Sequence, residues 1–152
     1  MELYEQATGG MRLYPNDVLK RIVLVPQYHS RPLVSSNIYD EIMFTHYPCD
    51  LIAPDQGHPA PALLRLTRAL SDETRLRILR LLSQKQMTFT EIVREIGLSK
   101  STIHYHLIAL RAAGLIIVHY YFSSMESKNV EYSLRLEALN DLPLQIGCYL
   151  KS

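Results

Sequence analysis

Residues 97–116 read GLSKSTIHYHLIALRAAGLI, and this stretch decides the fold of the 152-residue sequence. Gly97 ends one helix, because glycine adopts the left-handed backbone conformation without strain. Ser99 is of a residue type that caps the start of a helix, and Gly114 closes that helix in turn. The pattern therefore predicts two helices joined by a tight turn, the second of which runs from Ser99 to Ala113.

The second of these helices has two different faces. At about 100° per residue, Ile103, Leu107 and Leu110 share the side that must face the core. His104 and His106 are two positions apart and project about 200° away from each other, so they cannot chelate one metal ion. A helical zinc pair is instead spaced by four residues. We therefore expect His106 at the core edge, and we expect His104 to belong to an outward contact surface.

The sequence on either side completes a winged-helix pattern. Upstream, leucine periodicity predicts helices over 62–70 and 73–82, and Thr88-Phe-Thr-Glu91 matches the capping pattern that opens a short helix. Downstream, a period of two predicts strands over 116–122 and 130–135 around a polar turn. A helix-turn-helix followed by such a hairpin is a winged helix, and helix-turn-helix units place their second helix in the DNA major groove.

The side-chain directions and the end of this region are predicted in the same way. In the helix over 73–82 we expect Leu76 to face inward and Arg75 to face outward. The chain closes with a helix that begins near residues 140–141 and has Pro143 in its first turn, where proline is tolerated.

The first 58 residues are predicted to form a small β-containing extension of unassigned role. β-branched residues predict strands over 21–27 and 41–48, and a weaker strand over 31–36. A segment with three prolines and a glycine then predicts a linker. The fold class is therefore α+β and mainly helical. The predicted domains are the N-terminal extension, 1–58, and the winged helix-turn-helix with its C-terminal helix, 59–152.

Composition is that of an ordinary globular protein, at 47% hydrophobic and 20% charged residues. No apolar run reaches the roughly 18 residues needed to cross a bilayer, so we expect no membrane contact. Cys49 and Cys148 form no motif, which fits a cytoplasmic location, although a disulfide between them stays open.

Residues 1–59 have a net charge of −3 (four basic, seven acidic), and residues 60–152 have +4 (twelve basic, eight acidic). A polyanionic partner for the second part would fit this asymmetry.

The sequence has none of the common signatures of an enzyme. It contains no glycine-rich phosphate loop, no Gly-x-Ser-x-Gly elbow and no carboxylates clustered on one face. His29, His46, Cys49 and His58 occur in the N-terminal part, but their spacing matches no standard metal site. We therefore expect neither catalysis nor a metal or other cofactor.

Three segments together resemble the ArsR/SmtB-like winged-helix regulators: ALSDETRLRIL (69–79), GLSKSTIHYHL (97–107) and LRAAGLI (110–116). The resemblance covers roughly residues 60–135. It implies a transcriptional regulator that binds operator DNA as a homodimer, with the first and last helices of the domain forming the dimer interface. The candidate dimer contacts that follow are Leu63, Leu66, Leu142, Ile146, Tyr149 and Leu150.

The sequence departs from this family in three respects. The helix before the recognition helix lacks the cysteines of the family's metal sensors, and no histidine follows His119 for the other known metal site, so metal sensing is not expected. The family often has a Ser-Arg pair where this chain has His104-Tyr105, so a base preference cannot be carried over. The extension resembles the tail of a longer N-terminal domain on larger members, which predicts a fragment or a shortened member.

The predicted function is a dimeric repressor that reads a palindromic operator in double-stranded DNA through the helix 99–113. Such a surface suits DNA because it carries hydroxyl groups, a lysine, a tyrosine and an isoleucine that can contact a thymine methyl group. The hairpin adds positive charge through Lys128 and through His119 at its strand base. The alternative is a winged helix used for protein–protein assembly without DNA. The sequence does not specify an effector. The candidate DNA contacts are Ser99, Lys100, Ser101, Thr102, His104, Tyr105, Ile108, Arg111 and Lys128.

Overall fold

The computed structural model describes residues 2–14, 19–29, 31–49, 57–122 and 128–151. The helices are α1 (Glu2–Thr8), α2 (Pro61–Leu70), α3 (Glu73–Leu82), α4 (Phe89–Ile96), α5 (Lys100–Ala112), α6 (Leu136–Asn140) and α7 (Leu142–Lys151). The strands are β1 (Met11–Tyr14), β2 (Arg21–Gln27), β3 (Ser35–Tyr39), β4 (Ile42–Pro48), β5 (Met87–Thr88), β6 (Ile116–Phe122) and β7 (Lys128–Leu134). Most of the predicted linker (51–56) and of the predicted turn of the hairpin (123–127) lies outside the described residues.

The described strands form two sheets. In the first, the order is β1-β6-β7-β5: β6 and β7 make the predicted antiparallel hairpin, and β5 pairs with β7. In the second, the order is β2-β4-β3, with β2 parallel and β3 antiparallel to β4. The sheet of the winged helix thus carries two strands, β1 and β5, that the sequence pattern did not predict.

The core of the winged helix is formed by α2 to α5 together with the start of β6. Ile78 of α3, Ile92 of α4 and Ile103 and Leu110 of α5 are fully buried in one cluster. Burial of each such side chain stabilises the fold by about 1.5–3 kcal/mol. Because α5 supplies side chains to this cluster from its second to its third turn, the core fixes which face of α5 is left outward.

Local hydrogen bonds define the helix ends as predicted. Thr88 and Glu91 form a reciprocal capping box: the Thr88 N–H donates to Glu91 Oε2 at 2.8 Å, and the Glu91 N–H donates to Thr88 Oγ1. Gly97 ends α4 with a φ of 78°, in the left-handed region. Ser99 Oγ accepts the Thr102 N–H at the start of α5. The short turn between Gly97 and Ser99 orients α5 relative to α4.

The N-terminal extension packs directly on the winged helix, across the predicted domain boundary near residue 58. Met11 lies opposite Val118 where β1 runs parallel to β6. The Val118 N–H donates to the Gly10 carbonyl at 2.7 Å, and a Cβ at Gly10 would lie 2.8 Å from the Ile116 carbonyl oxygen. A second apolar cluster spans both parts of the chain, and its buried members are Tyr4, Met11, Leu13, Met43, Val118 and Phe122.

Two predicted side-chain directions in α3 are wrong. Leu76 is 48% exposed, whereas the Arg75 side chain is largely buried and donates from Nε to the Ala69 carbonyl at 2.8 Å. The reason is that Ile78, Leu79 and Leu82 set the inward face, and Arg75 precedes these residues by three, four and seven positions. Leu76 has such a spacing only from Leu79, so it lies at the edge of that face.

Two predicted elements have different limits. The third strand of the N-terminal sheet, predicted over 31–36, is β3 at Ser35–Tyr39, because the turn at Asp40, with a φ of 44°, fixes its antiparallel register on β4. The predicted C-terminal helix is α7, with Pro143 in its first turn as expected, and the short helix α6, which was not predicted, precedes it and ends next to Asp141. Among the described helices, none combines the length and the apolar character that crossing a bilayer requires.

Candidate nucleic-acid interface

The outward face of α5 presents an uncharged aromatic and aliphatic surface beside polar groups. Tyr105 is 65% exposed and Ile108 is 42% exposed, although both are large and apolar enough to be buried. Lys100, Ser101 and His104 are also exposed, next to them. Large side chains left in solvent on a helix whose other face is fully packed are typical of a contact surface.

Three hydroxyl groups cluster at the first turn of α5. Ser99 Oγ lies 3.0 Å from Ser101 Oγ and 2.7 Å from Thr102 Oγ1. The unpaired N–H groups and the dipole of a helix N-terminus favour negative charge at such a position. Lys100 adds a full positive charge in the same turn. This end of α5 is therefore suited to a phosphate group.

The two histidines of α5 lie on different sides, as predicted. His106 is buried, with Nδ1 3.7 Å from Asp72 Oδ1 at the start of α3, whereas His104 is exposed and its ring meets the edge of Phe89. A hydrogen bond from the Arg75 backbone lowers the pKa of Asp72, so that carboxylate is ionised near neutral pH. Because they lie on different sides of α5, His104 and His106 do not form a metal site.

Arg111 does not lie on the outward face, although it was predicted as a DNA contact. Its Nη2 donates to the Val34 carbonyl at 2.8 Å and lies 3.3 Å from Met11 Sδ, so its side chain reaches into the N-terminal extension. The sequence carried a signal for this direction: Arg111 follows Leu107 by four residues and therefore shares its face.

His119 does not add positive charge to the hairpin as predicted. It is fully buried, with Nδ1 3.0 Å from the Tyr14 hydroxyl of β1 and Nε2 2.8 Å from Ser133 Oγ of β7. Burial lowers the pKa of His119, and the nearby Arg12 lowers it further, so the ring is neutral near neutral pH. The side chain of Lys128 lies outside the described residues, and its DNA contact stays a prediction.

Sequence comparison places the segment from the cap of α3 to β6 in a known family. Residues 72–118 match the family described as bacterial regulatory protein, arsR family. The chain is thus similar to this family over its helix-turn-helix. The matched segment contains α4, the turn at Gly97 and all of α5, which are the elements that build the outward surface described above.

Transcriptional regulators and solved structures are similar to this segment and its surroundings. HTH-type transcriptional regulator CmtR of Mycobacterium bovis and of Mycobacterium tuberculosis is 38% identical over 73 residues, which is 48% of this chain and 58% of that protein. The chain thus spans less than two thirds of the length of these relatives. An ArsR-like transcriptional regulator from Rhodococcus sp. RHA1 is 27% identical, with a TM-score of 0.48 over 57% of this chain and 74% of that one. A homodimeric winged helix-turn-helix DNA-binding domain from Mycobacterium bovis is 25% identical, with a TM-score of 0.43 over 57% and 78%.

The predicted dimer contacts fall into two groups in the structure. Leu63 and Leu66 of α2 are buried within the single chain, at 6% and 3% exposure, and Leu142 of α7 is half-buried against the core cluster that contains Leu66, so these three offer little surface to a second copy. Leu63 and Leu66 are covered because α2 packs on α3, α5 and α7. The rest of the predicted set is exposed on α7, together with one residue that was not predicted: Ile146, Tyr149, Leu150 and Leu144.

The described ranges contain no cluster of three or more His, Cys, Asp or Glu side chains that would hold a metal ion. Cys49 and Cys148 are both free thiols, which removes the disulfide that the sequence left open. The histidines of the N-terminal extension therefore do not converge with Cys49 within the described part of the chain.

Proposed function

We propose that this protein is a transcriptional regulator that binds double-stranded DNA through the outward face of α5. The observation that carries the proposal is the exposure of Tyr105 and Ile108 next to Lys100 and the hydroxyl cluster, on the second helix of an ArsR-family helix-turn-helix. In helix-turn-helix proteins this helix enters the major groove and contacts base edges from its N-terminal residues.

The side chains of this face divide into two roles. Ser99 and Lys100, at the helix N-terminus, contact phosphates and fix the position of α5 on the duplex. His104 and Tyr105 reach base edges or the sugar–phosphate backbone, and Ile108 packs against a thymine methyl group. The absence of an arginine from the outward positions of the first two turns means that bidentate guanine recognition does not contribute.

We further propose that the protein is a homodimer that represses transcription from a palindromic operator. The exposed leucines, isoleucine and tyrosine of α7 supply an apolar surface of the kind that a second copy of the chain covers. A two-fold dimer places its two recognition helices about 34 Å apart, one turn of DNA, and so reads two inverted half-sites. A dimer bound across a promoter excludes polymerase from the same DNA.

The test of DNA binding compares two tyrosines of equal exposure. Tyr105→Ala is expected to weaken binding to a fragment of the protein's own promoter about tenfold, because it removes a groove contact worth about 1.4 kcal/mol. Tyr39, which is 66% exposed on β3, is the matched control, and Tyr39→Ala leaves the affinity unchanged. Fluorescence anisotropy of labelled DNA measures both. Equal affinities for Tyr105→Ala and the wild type would contradict this role of α5.

A second candidate function rests on the same observation. Tyr105 and Ile108 form a surface with little charge, which also suits an apolar contact with another protein. In that case the wild-type protein would bind no DNA in the same titration. The two functions therefore differ in one measurable property, the affinity for a duplex.

A further inference from the structure

A cavity of about 190 Å³ lies where the N-terminal extension meets the winged helix. Its walls come from β1, from β3 and the residue before it, from β4, from the end of α5 and from β6. An apolar cavity of about 150 Å³ holds a benzene molecule, so this one has room for a single ring or a short branched chain. Its lining consists of the side chains of Met11, Leu13, Val34, Ile38, Met43, Tyr120 and Phe122, together with Ser36 and Arg111.

Arg111 brings a positive charge into this apolar wall. Its Nη2 contacts the Val34 carbonyl and Met11 Sδ, while Nε and Nη1 have no partner among the described residues. No acidic side chain of the described ranges forms an ion pair with it. A half-buried guanidinium with unused donors is suited to a carboxylate, which it binds in a bidentate arrangement.

A second polar group is fixed at the edge of the cavity. Ser36 Oγ lies 3.0 Å from Thr45 Oγ1, which is fully buried and lies 3.3 Å from the Tyr4 hydroxyl. This chain of hydroxyls holds Ser36 in place. Because Ser36 is itself exposed, the cavity reaches the surface there, and a ligand can enter.

We propose that this cavity binds a small apolar monocarboxylate, with the carboxylate on Arg111 and the apolar body between Met11 and Met43. Methionine side chains adapt to the shape of different apolar groups. Arg111 belongs to the last turn of α5, so the ligand contacts the same helix that carries Lys100 and Tyr105. This placement makes the ligand an effector whose binding changes the affinity of α5 for DNA. The effector role rests on the proposed function.

The direct test is calorimetric titration with benzoate, and with benzamide as its uncharged isostere. We expect benzoate to bind the wild-type protein about tenfold more tightly than benzamide, because only benzoate forms the charge-assisted hydrogen bonds to Arg111. Arg111→Gln keeps a donor for the Val34 carbonyl but loses the charge, and it abolishes the preference. Arg94→Gln, an exposed arginine of α4, is the matched control and leaves the preference intact.

A second variant tests the cavity without touching the charge. Ile38→Phe adds volume to the lining and is expected to prevent binding of both compounds while Arg111 stays in place. Thermal melting of each variant establishes that it is folded. Failure of benzoate to bind the wild-type protein would overturn the proposal, as would binding that survives both Arg111→Gln and Ile38→Phe.

The effect of the ligand on DNA binding is measured in a separate experiment. Saturating benzoate is expected to change the affinity of the wild-type protein for promoter DNA at least about fivefold, and to have no effect on Arg111→Gln. Benzoate that binds without changing DNA affinity would overturn the effector role. A wild-type protein that binds benzoate but no DNA would overturn the proposed function and leave the ligand site supported.

Discussion

Replacing Ile103 with alanine is expected to lower the free energy of unfolding by about 3 kcal/mol. The side chain is fully buried between α3, α4 and the sheet, and truncation removes its transfer free energy and leaves a cavity. Since domains of this size are stable by about 5–15 kcal/mol, the variant is expected to remain folded at room temperature. Denaturant unfolding followed by circular dichroism measures the change.

Ile108 provides the control on the same helix. It is the same residue type, five positions along, and is 42% exposed. Ile108→Ala is expected to change the free energy of unfolding by no more than about 0.5 kcal/mol, and to weaken DNA binding instead. Comparable losses of stability in the two variants would contradict the assignment of the two faces of α5.

Replacing Leu150 with aspartate is expected to weaken the homodimer about 100-fold. The side chain is 75% exposed in the single chain and lies with Leu144, Ile146 and Tyr149 on α7. A charge placed in a packed apolar interface costs about 2.7 kcal/mol or more of association free energy. Sedimentation velocity at micromolar concentration measures the fraction of dimer.

The matched change for this experiment is Leu33→Asp. Leu33 is 52% exposed in the N-terminal extension, far along the chain from α7, and its replacement introduces the same charge. We expect this variant to remain dimeric. A wild-type chain that sediments as a monomer, or a Leu150→Asp variant that sediments as a dimer, would contradict the proposed interface.

The helix-turn-helix could be predicted from the sequence because its determinants are local. The Thr88–Glu91 capping box, the left-handed Gly97 and the Ser99 cap each act within four residues of the chain. The spacing of Ile103, Leu107 and Leu110 then assigned the faces of α5. The same periodicity separated buried His106 from exposed His104.

The attachment of the N-terminal extension could not be predicted because its determinants are not local. β1 has four residues and pairs with β6, more than 100 positions away, and no short pattern specifies a parallel partner. His119 and Arg111 were assigned to the DNA surface without this strand and its neighbours. Once β1 and the segment before β3 pack against them, both side chains face the extension.

The burial of the candidate dimer contacts Leu63 and Leu66 could not be predicted for a related reason. Leu63 and Leu66 form an apolar stripe that could be buried equally well by two different partners. One is the core of the same protomer, and the other is a second copy of the chain. The sequence pattern does not distinguish these partners. In the structure, the stripe is covered within the same chain, whereas Leu144, Ile146, Tyr149 and Leu150 of α7 remain exposed.

The most direct test of the central claim, that α5 binds DNA, is the salt dependence of binding to the promoter fragment. We expect the logarithm of the wild-type binding constant to fall linearly with the logarithm of the salt concentration. We expect Lys100→Ala to reduce the slope of this line by about 0.9, which is the value of one phosphate contact. Lys20→Ala, which removes an exposed lysine of the N-terminal extension, leaves the slope unchanged. A binding constant insensitive to salt, or one slope shared by the wild type and Lys100→Ala, would contradict it.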